Sequence, residues 1–193
     1  IGPSPIKNFS KDYQSGALSF EIITNGKKLI CNSGYFSDKT NKLNRLSKNT
    51  ALQSTLIIDN HSSCKYEMDK NLNYVVSRGL KITKKNIVLE DNYWKISAQH
   101  DGYLQRFGAL HERKIEFYPE QMKFVGFDKI LKKNNKVKLK YEIRFHLNPS
   151  SRVMKTQDNK SILIELEEEG WKFSCNNFDI NIDNGLYFGD KNS

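Results

Sequence analysis

The chain has 193 residues, enough for one sizeable core or two small ones, and its 11 Phe and 9 Tyr fit a folded domain rather than a disordered one. Its longest apolar runs are only a few residues, which excludes a membrane-spanning helix. The net charge of +9 raises nucleic acid or an acidic polymer, but lysine supplies most of it, whereas phosphate and base readers favour the arginine fork; no nucleic-acid motif accompanies the charge, and none is expected as a partner.

In chain order, Ile1-Gly2-Pro3-Ser4-Pro5 lacks the basic and apolar regions of a signal peptide and lacks an initiator Met. Residues 1–10 read as a linker within a longer chain, followed by one domain over 11–190. Leu18, Phe20 and Ile22 alternate with Ala17, Ser19 and Glu21, the period of a half-buried strand. Asn25-Gly26 predicts a hairpin turn. Asn41 to Lys48 holds one short helical turn, with Leu43 and Leu46 at i, i+3. Trp94, Ile96 and Ala98 alternate next, before a break at Asp101-Gly102.

Past a second break at Asn134-Asn135, Lys138 to Leu147 alternates strictly. Leu139, Tyr141, Ile143, Phe145 and Leu147 fall on one face and charged or imidazole side chains on the other. The same period recurs at Ile162, Ile164 and Leu166, at Trp171, Phe173 and Cys175, and at Phe178, Ile180 and Ile182, ahead of Asn184-Gly185. Strands recurring between turn signals predict an all-β fold. The expected architecture is a two-layer antiparallel β-sandwich, supersandwich-like, with little helix.

The four histidines form no helical zinc pair, and no nucleophile motif or phosphate loop is present, so no catalytic set is assigned. Cys31, Cys64 and Cys175 are an odd, widely spaced set; buried free thiols are the simplest expectation, with one disulfide as the alternative. His111 and Arg113 stand in phase with Ile115 and Phe117, and a basic pair on an apolar face must be paired or face a cleft. Two readings follow. Either these groups, with Arg144, His146, Tyr103 and Arg106, bind a carboxylate or orient a partner domain, or they form a satisfied network between sheets. A metal held by His111, His146 and a carboxylate is a weaker third reading. The acidic run Glu165, Glu167, Glu168 and Glu169 reads as a solvated strand end.

The stretch His100-Asp101-Gly102-Tyr103 leading to His111-Glu112-Arg113 resembles the C-terminal domain of bacterial heparinase II/III-like proteins. Arg144-Phe145-His146-Leu147-Asn148-Pro149 resembles an RFHL strand of the same group, and Gly16 to Glu21 its opening strand. The resemblance runs from about Lys11 to Phe188. It implies a sandwich that accompanies an N-terminal α/α toroid, here absent, in a periplasmic or cell-envelope polysaccharide lyase. The implied reaction is β-elimination on uronic-acid glycans: a base takes the C5 proton and an acid protonates the leaving oxygen. The implied partners are an anionic polysaccharide and the protein's own N-terminal domain. The Gly-His-x-His-x-Asp motif of the lyases is not kept: Asp12, Gln14 and Gly16 stand at its His, His and Asp positions. The family's zinc ligands map onto Gln14, Asn32 and Gln53, neutral amides that replace neither imidazole nor carboxylate, so no zinc and no other cofactor is expected. The expectation is an accessory domain, inactive alone, with His111, Arg113, Arg144 and His146, then Tyr103 and Arg106, as substrate-binding candidates. The alternative is a non-catalytic carbohydrate-binding or protein-interaction module, which an exposed aromatic platform on one sheet would favour.

Overall fold

The computed structural model of the chain describes residues 1–189; residue 190, the expected end of the domain, lies outside them. Strand makes up 42% and helix 10%, so the fold is all-β. The first strands are β1 (Ile22–Thr24) and β2 (Lys27–Cys31). Asn25 and Gly26 both take positive φ, 45° and 75°, the backbone of a type I′ turn. Thr24 faces Lys27 across it, as the predicted hairpin requires. The strand ahead of the turn is shorter than the alternation implies. Leu18 sits at φ 58°, so the chain turns at 16–19 and buries Ala17 and Leu18 together.

The short helix is α1 (Lys42–Ser47), capped by the Asn41 side chain, which accepts from the Leu43 N–H. It turns Asn44 and Ser47 inward and leaves Leu46 exposed, opposite to the leucine pattern. Asn44 decides this, because its Nδ2 donates to the Phe36 carbonyl at 2.6 Å and the Tyr35 hydroxyl at 3.0 Å. Next come β3 (Leu56–Ile58), β4 (Lys65–Met68) and β5 (Tyr74–Arg78). Residues 1–10 lie along β5: the Ser4 N–H donates to the Leu80 carbonyl, and the buried Ser10 hydroxyl accepts from the Val76 N–H.

Four long strands follow, β6 (Ile82–Glu90), β7 (Tyr93–His100), β8 (Ala109–Tyr118) and β9 (Lys123–Lys132), with α2 (Leu104–Phe107) between β7 and β8. They make one antiparallel sheet in that order. The remaining strands are β10 (Tyr141–Ile143), β11 (His146–Leu147), β12 (Arg152–Lys155), β13 (Ser161–Leu166) and β14 (Glu169–Ser174). The single strand expected over 138–147 is thus two. β10 pairs with β3 and β11 with β2, and the chain changes partner at Arg144-Phe145. The alternation survives the break because its apolar side chains serve two cores. Leu139 and Ile143 pack with Leu56 and Ile58, while Phe145 and Leu147 pack with Ile30 and Ile164.

These cores join the layers of the sandwich. Ile22, Leu29 and Ile30 face Ile162, Ile164 and Leu166, and β3 packs on Tyr103 and Ala109 at the start of β8. Each such side chain, once buried, contributes roughly 1.5–3 kcal/mol. The alternation at 178–182 forms no strand. The Ile180 N–H donates to the Asn159 carbonyl, and with no partner strand among the described residues Phe178 and Ile182 stay exposed. The three cysteines are free thiols.

Candidate functional site

The β7–β8–β9 register builds the interior of the site. His100 faces His111, and His111 faces Ile130; one row on, Ala98, Arg113 and Asp128 align. All six project from the same side of the sheet, because side chains two apart share a face. The Gly102 N–H donates to His100 Nδ1 at 3.1 Å, which puts the His100 proton on Nε2. That Nε2–H donates to His111 Nδ1 at 3.1 Å, so His111 carries its own proton on Nε2 and donates it to Asp128 Oδ1 at 2.6 Å. Arg113 closes the chain with Nε to Asp128 Oδ1 at 2.8 Å and Nη2 to Oδ2 at 3.0 Å. Its Nη1 donates to the carbonyls of Leu18 and Ser54.

The chain of bonds requires two neutral imidazoles beside a charged Arg–Asp pair. Burial pushes His100 down to about 3, helped by the proximity of His111 and by the Arg113 charge. Burial also lowers His111, against the pull of Asp128. Burial alone would raise Asp128, but the His111 hydrogen bond and the Arg113 guanidinium overcome it and hold the carboxyl below its ordinary value. Tyr103 is buried as well and donates its hydroxyl to the Leu56 carbonyl at 2.9 Å.

The sequence candidates therefore separate into two groups. His111, Arg113 and Tyr103 lie inside, with exposures of 0%, 4% and 1%, and their polar atoms are spent on the protein. Arg144 and His146 lie near the surface and converge on one carbonyl. His146 Nε2 donates to Ala51 O at 3.1 Å while its Nδ1 accepts from the Ser33 hydroxyl at 3.2 Å. Arg144 Nη1 approaches the same oxygen at 3.4 Å, and its Nε and Nη2 hold Glu142. Burial lowers His146, the Ala51 carbonyl raises it and Arg144 lowers it further, for a net downward shift. Arg106 is exposed on α2, its guanidinium over the adjacent Phe107 ring, and joins neither group.

Ser54 connects the two groups. Its carbonyl accepts from Arg113, its hydroxyl donates to Cys31 O at 2.6 Å, and the same hydroxyl accepts the His146 backbone N–H at 2.9 Å. The sequence reading missed Ser54 and Asp128. Asp128 carried a usable signal: it stands in phase with Phe124, Gly126 and Ile130, an acid on an apolar face like the basic pair opposite.

The motif around His100 and the strand around His146 are thus parts of one hydrogen-bonded structure. The model of the family described as heparinase II/III-like, C-terminal, matches residues 1–193. The chain belongs to the heparinase II/III-like C-terminal family. No curated protein and no solved structure matches it. Membership places this domain among polysaccharide lyase proteins. Among the described residues, no three His, Cys, Asp or Glu side chains come together as a metal cluster, and no helix is long and apolar enough to cross a membrane.

The face that buries the histidines in this heparinase II/III-like domain continues past the covering layer. Two rows further along it stand Ile87, Ile96 and Ile115, then Leu89, Trp94, Phe117 and Phe124. Leu89 is 68% exposed, Trp94 48% and Ile87 45%. Phe117 and Phe124 stack on each other at 4.3 Å, and Trp94 tilts against Phe117 at 5.2 Å. One end of the sheet is a sealed polar network, and the other is an uncovered apolar shelf.

Proposed function

We propose that this domain is the sandwich of a lyase-like protein that cleaves uronic-acid glycans by β-elimination, and that it is inactive alone. Its partner is the protein's own N-terminal α/α domain, and the setting is a bacterial periplasm or cell envelope. The observation that carries the reading is the apolar shelf. Large contiguous apolar patches on a soluble protein mark surfaces that another body covers, and this one continues a core face rather than standing as scattered exposed residues. The glycan class rests on the family. Of the two groups, that of Arg144 and His146 lies nearer solvent, and the part-exposed Arg144 guanidinium is its cation that suits a uronate carboxylate, with Arg106 exposed apart from it on α2. The two imidazoles of the interior chain are sealed and already hydrogen-bonded, so they offer no acid or base to a sugar. That supports a domain that completes a cleft and does not run the reaction.

A carbohydrate-binding module is the second reading, favoured by the exposure of Trp94. Against it, Phe117 and Phe124 turn their faces to each other, and a sugar stacks on an open ring face. The test is β-elimination by the full-length protein across a panel of uronic-acid polysaccharides, followed as unsaturated uronate absorbance, with the isolated domain alongside. Activity in the full-length protein that falls at least tenfold in Arg144→Ala, with none in the domain, supports the lyase reading. Turnover by the domain alone refutes it. An inert full-length protein whose isolated domain still binds glycan replaces it with the second reading.

A further inference from the structure

Gln14, Asn32 and Gln53 stand where the resemblance places zinc ligands, and their bonding is the opposite of what a metal needs. A zinc ligand aims a lone pair of nitrogen, sulfur or carboxylate oxygen at one point. Gln14 instead turns its Nε2 to two carbonyls, Gly34 O at 2.7 Å and Ser47 O at 2.8 Å, which uses both amide hydrogens. Asn32 spends its Oδ1 on the Ser54 N–H at 2.8 Å. The nearest acid on these bonds, Glu21, is taken by Asn32 on one oxygen and by Lys28 on the other.

Gln53 adds a second observation. Its Nε2 is buried without a hydrogen-bond partner, and an amide N–H group has no lone pair to give a metal. Its amide lies over Gly16, where a Cβ would come 2.9 Å from Gln53 Oε1 and 2.8 Å from Ser19 Oγ. The resemblance places the Asp of the family motif at that position. Here any side chain would displace the Gln53 amide, so the changes at 16 and 53 belong together. The donor set does not fit zinc.

We propose that the Gln14 and Asn32 amides form a metal-free clasp that does the tying a zinc would do. Gln14 fastens the segment before β1 to Gly34 and to the end of α1. Asn32 fastens the end of β2 to Ser54, the residue that also holds Arg113 and the His146 backbone. The clasp thus supports the Arg144–His146 group from below, with hydrogen bonds in place of coordination.

The test is the full chain purified in the presence of zinc, dialysed, and assayed both for zinc released on denaturation and for its melting temperature with and without a strong chelator. The expected result is substoichiometric zinc and a chelator-independent melt, together with a drop of roughly 5 °C in Gln14→Met, which keeps the bulk and loses both donors. One zinc released per chain, or a wild-type melt lowered by chelator, overturns the proposal. So does a Gln14→Met melt equal to wild type.

Discussion

His100 donates from Nε2 to His111 Nδ1 across 3.1 Å, and neither ring can take a second proton without breaking a bond it already makes. His100 Nδ1 is held by the Gly102 N–H, and His111 Nδ1 by His100 itself. The unfolded chain protonates both rings near the ordinary value of about 6.5, whereas folding holds His100 neutral down to about 3. The unfolded state therefore binds more protons in that window, and stability falls as pH falls through it. Each histidine that stays neutral costs about 1.4 kcal/mol per pH unit below its unfolded value. Urea unfolding of the domain at about pH 7.5 and again at about pH 5.5 should lose on the order of 1–3 kcal/mol. A flat profile would mean that the rings accept protons in place.

Asp128 is the only carboxylate bonded to the buried Arg113 guanidinium among the described residues, and its removal strands that charge. Asp128→Ala should cost about 3–5 kcal/mol, the range for breaking a buried pair from one side. His111→Gln should cost less, since it removes a neutral link and leaves the ion pair. Denaturant midpoints of the two variants decide this, and equal losses would place the stabilisation in the imidazoles.

Ser54→Ala removes the hydroxyl that bridges the Cys31 carbonyl and the His146 N–H. Losing both bonds should cost about 1–3 kcal/mol. In the full-length protein the same variant should weaken turnover as Arg144→Ala does, because Ser54 positions the His146 backbone. Calorimetry on the domain and kinetics on the full chain separate the two effects. A destabilised but fully active Ser54→Ala would detach the interior network from the surface pair.

The fold was legible where local pattern and tertiary partner agree. Asn25-Gly26 and the β13 alternation come straight from backbone twist and one buried face. Pattern misled at 178–182, where among the described residues no strand pairs with the alternation, and at α1, where the Asn44 amide finds a carbonyl and a hydroxyl that leucine cannot bond. The site was half legible. His111 and Arg113 announced a polar cluster on an apolar face, but whether such a cluster faces a cleft or a core depends on what covers it, and that is set by Ser54 and Leu18 far along the chain. Arg144 and His146 looked like one strand's polar face; they share a site because the chain changes partner beside them.

The thiols give an independent check on the packing. Burial pushes Cys31 up to about 11 and raises Cys64, whereas Cys175 lies partly open past β14. A thiol reagent should modify one cysteine quickly and the other two only on unfolding. Mass spectrometry after a brief exposure should place the label on Cys175; rapid labelling of Cys31 would mean that the β2–β11 pairing opens readily.

Reconstitution in trans tests the partnership most directly. The N-terminal part of the full-length protein and this domain are expressed separately, then assayed for β-elimination apart and mixed. Activity should appear only in the mixture, and a Trp94→Ser/Phe124→Ser domain, which strips the apolar shelf, should restore little of it. Equal activity from the N-terminal part alone would contradict the claim that this sandwich completes the lyase.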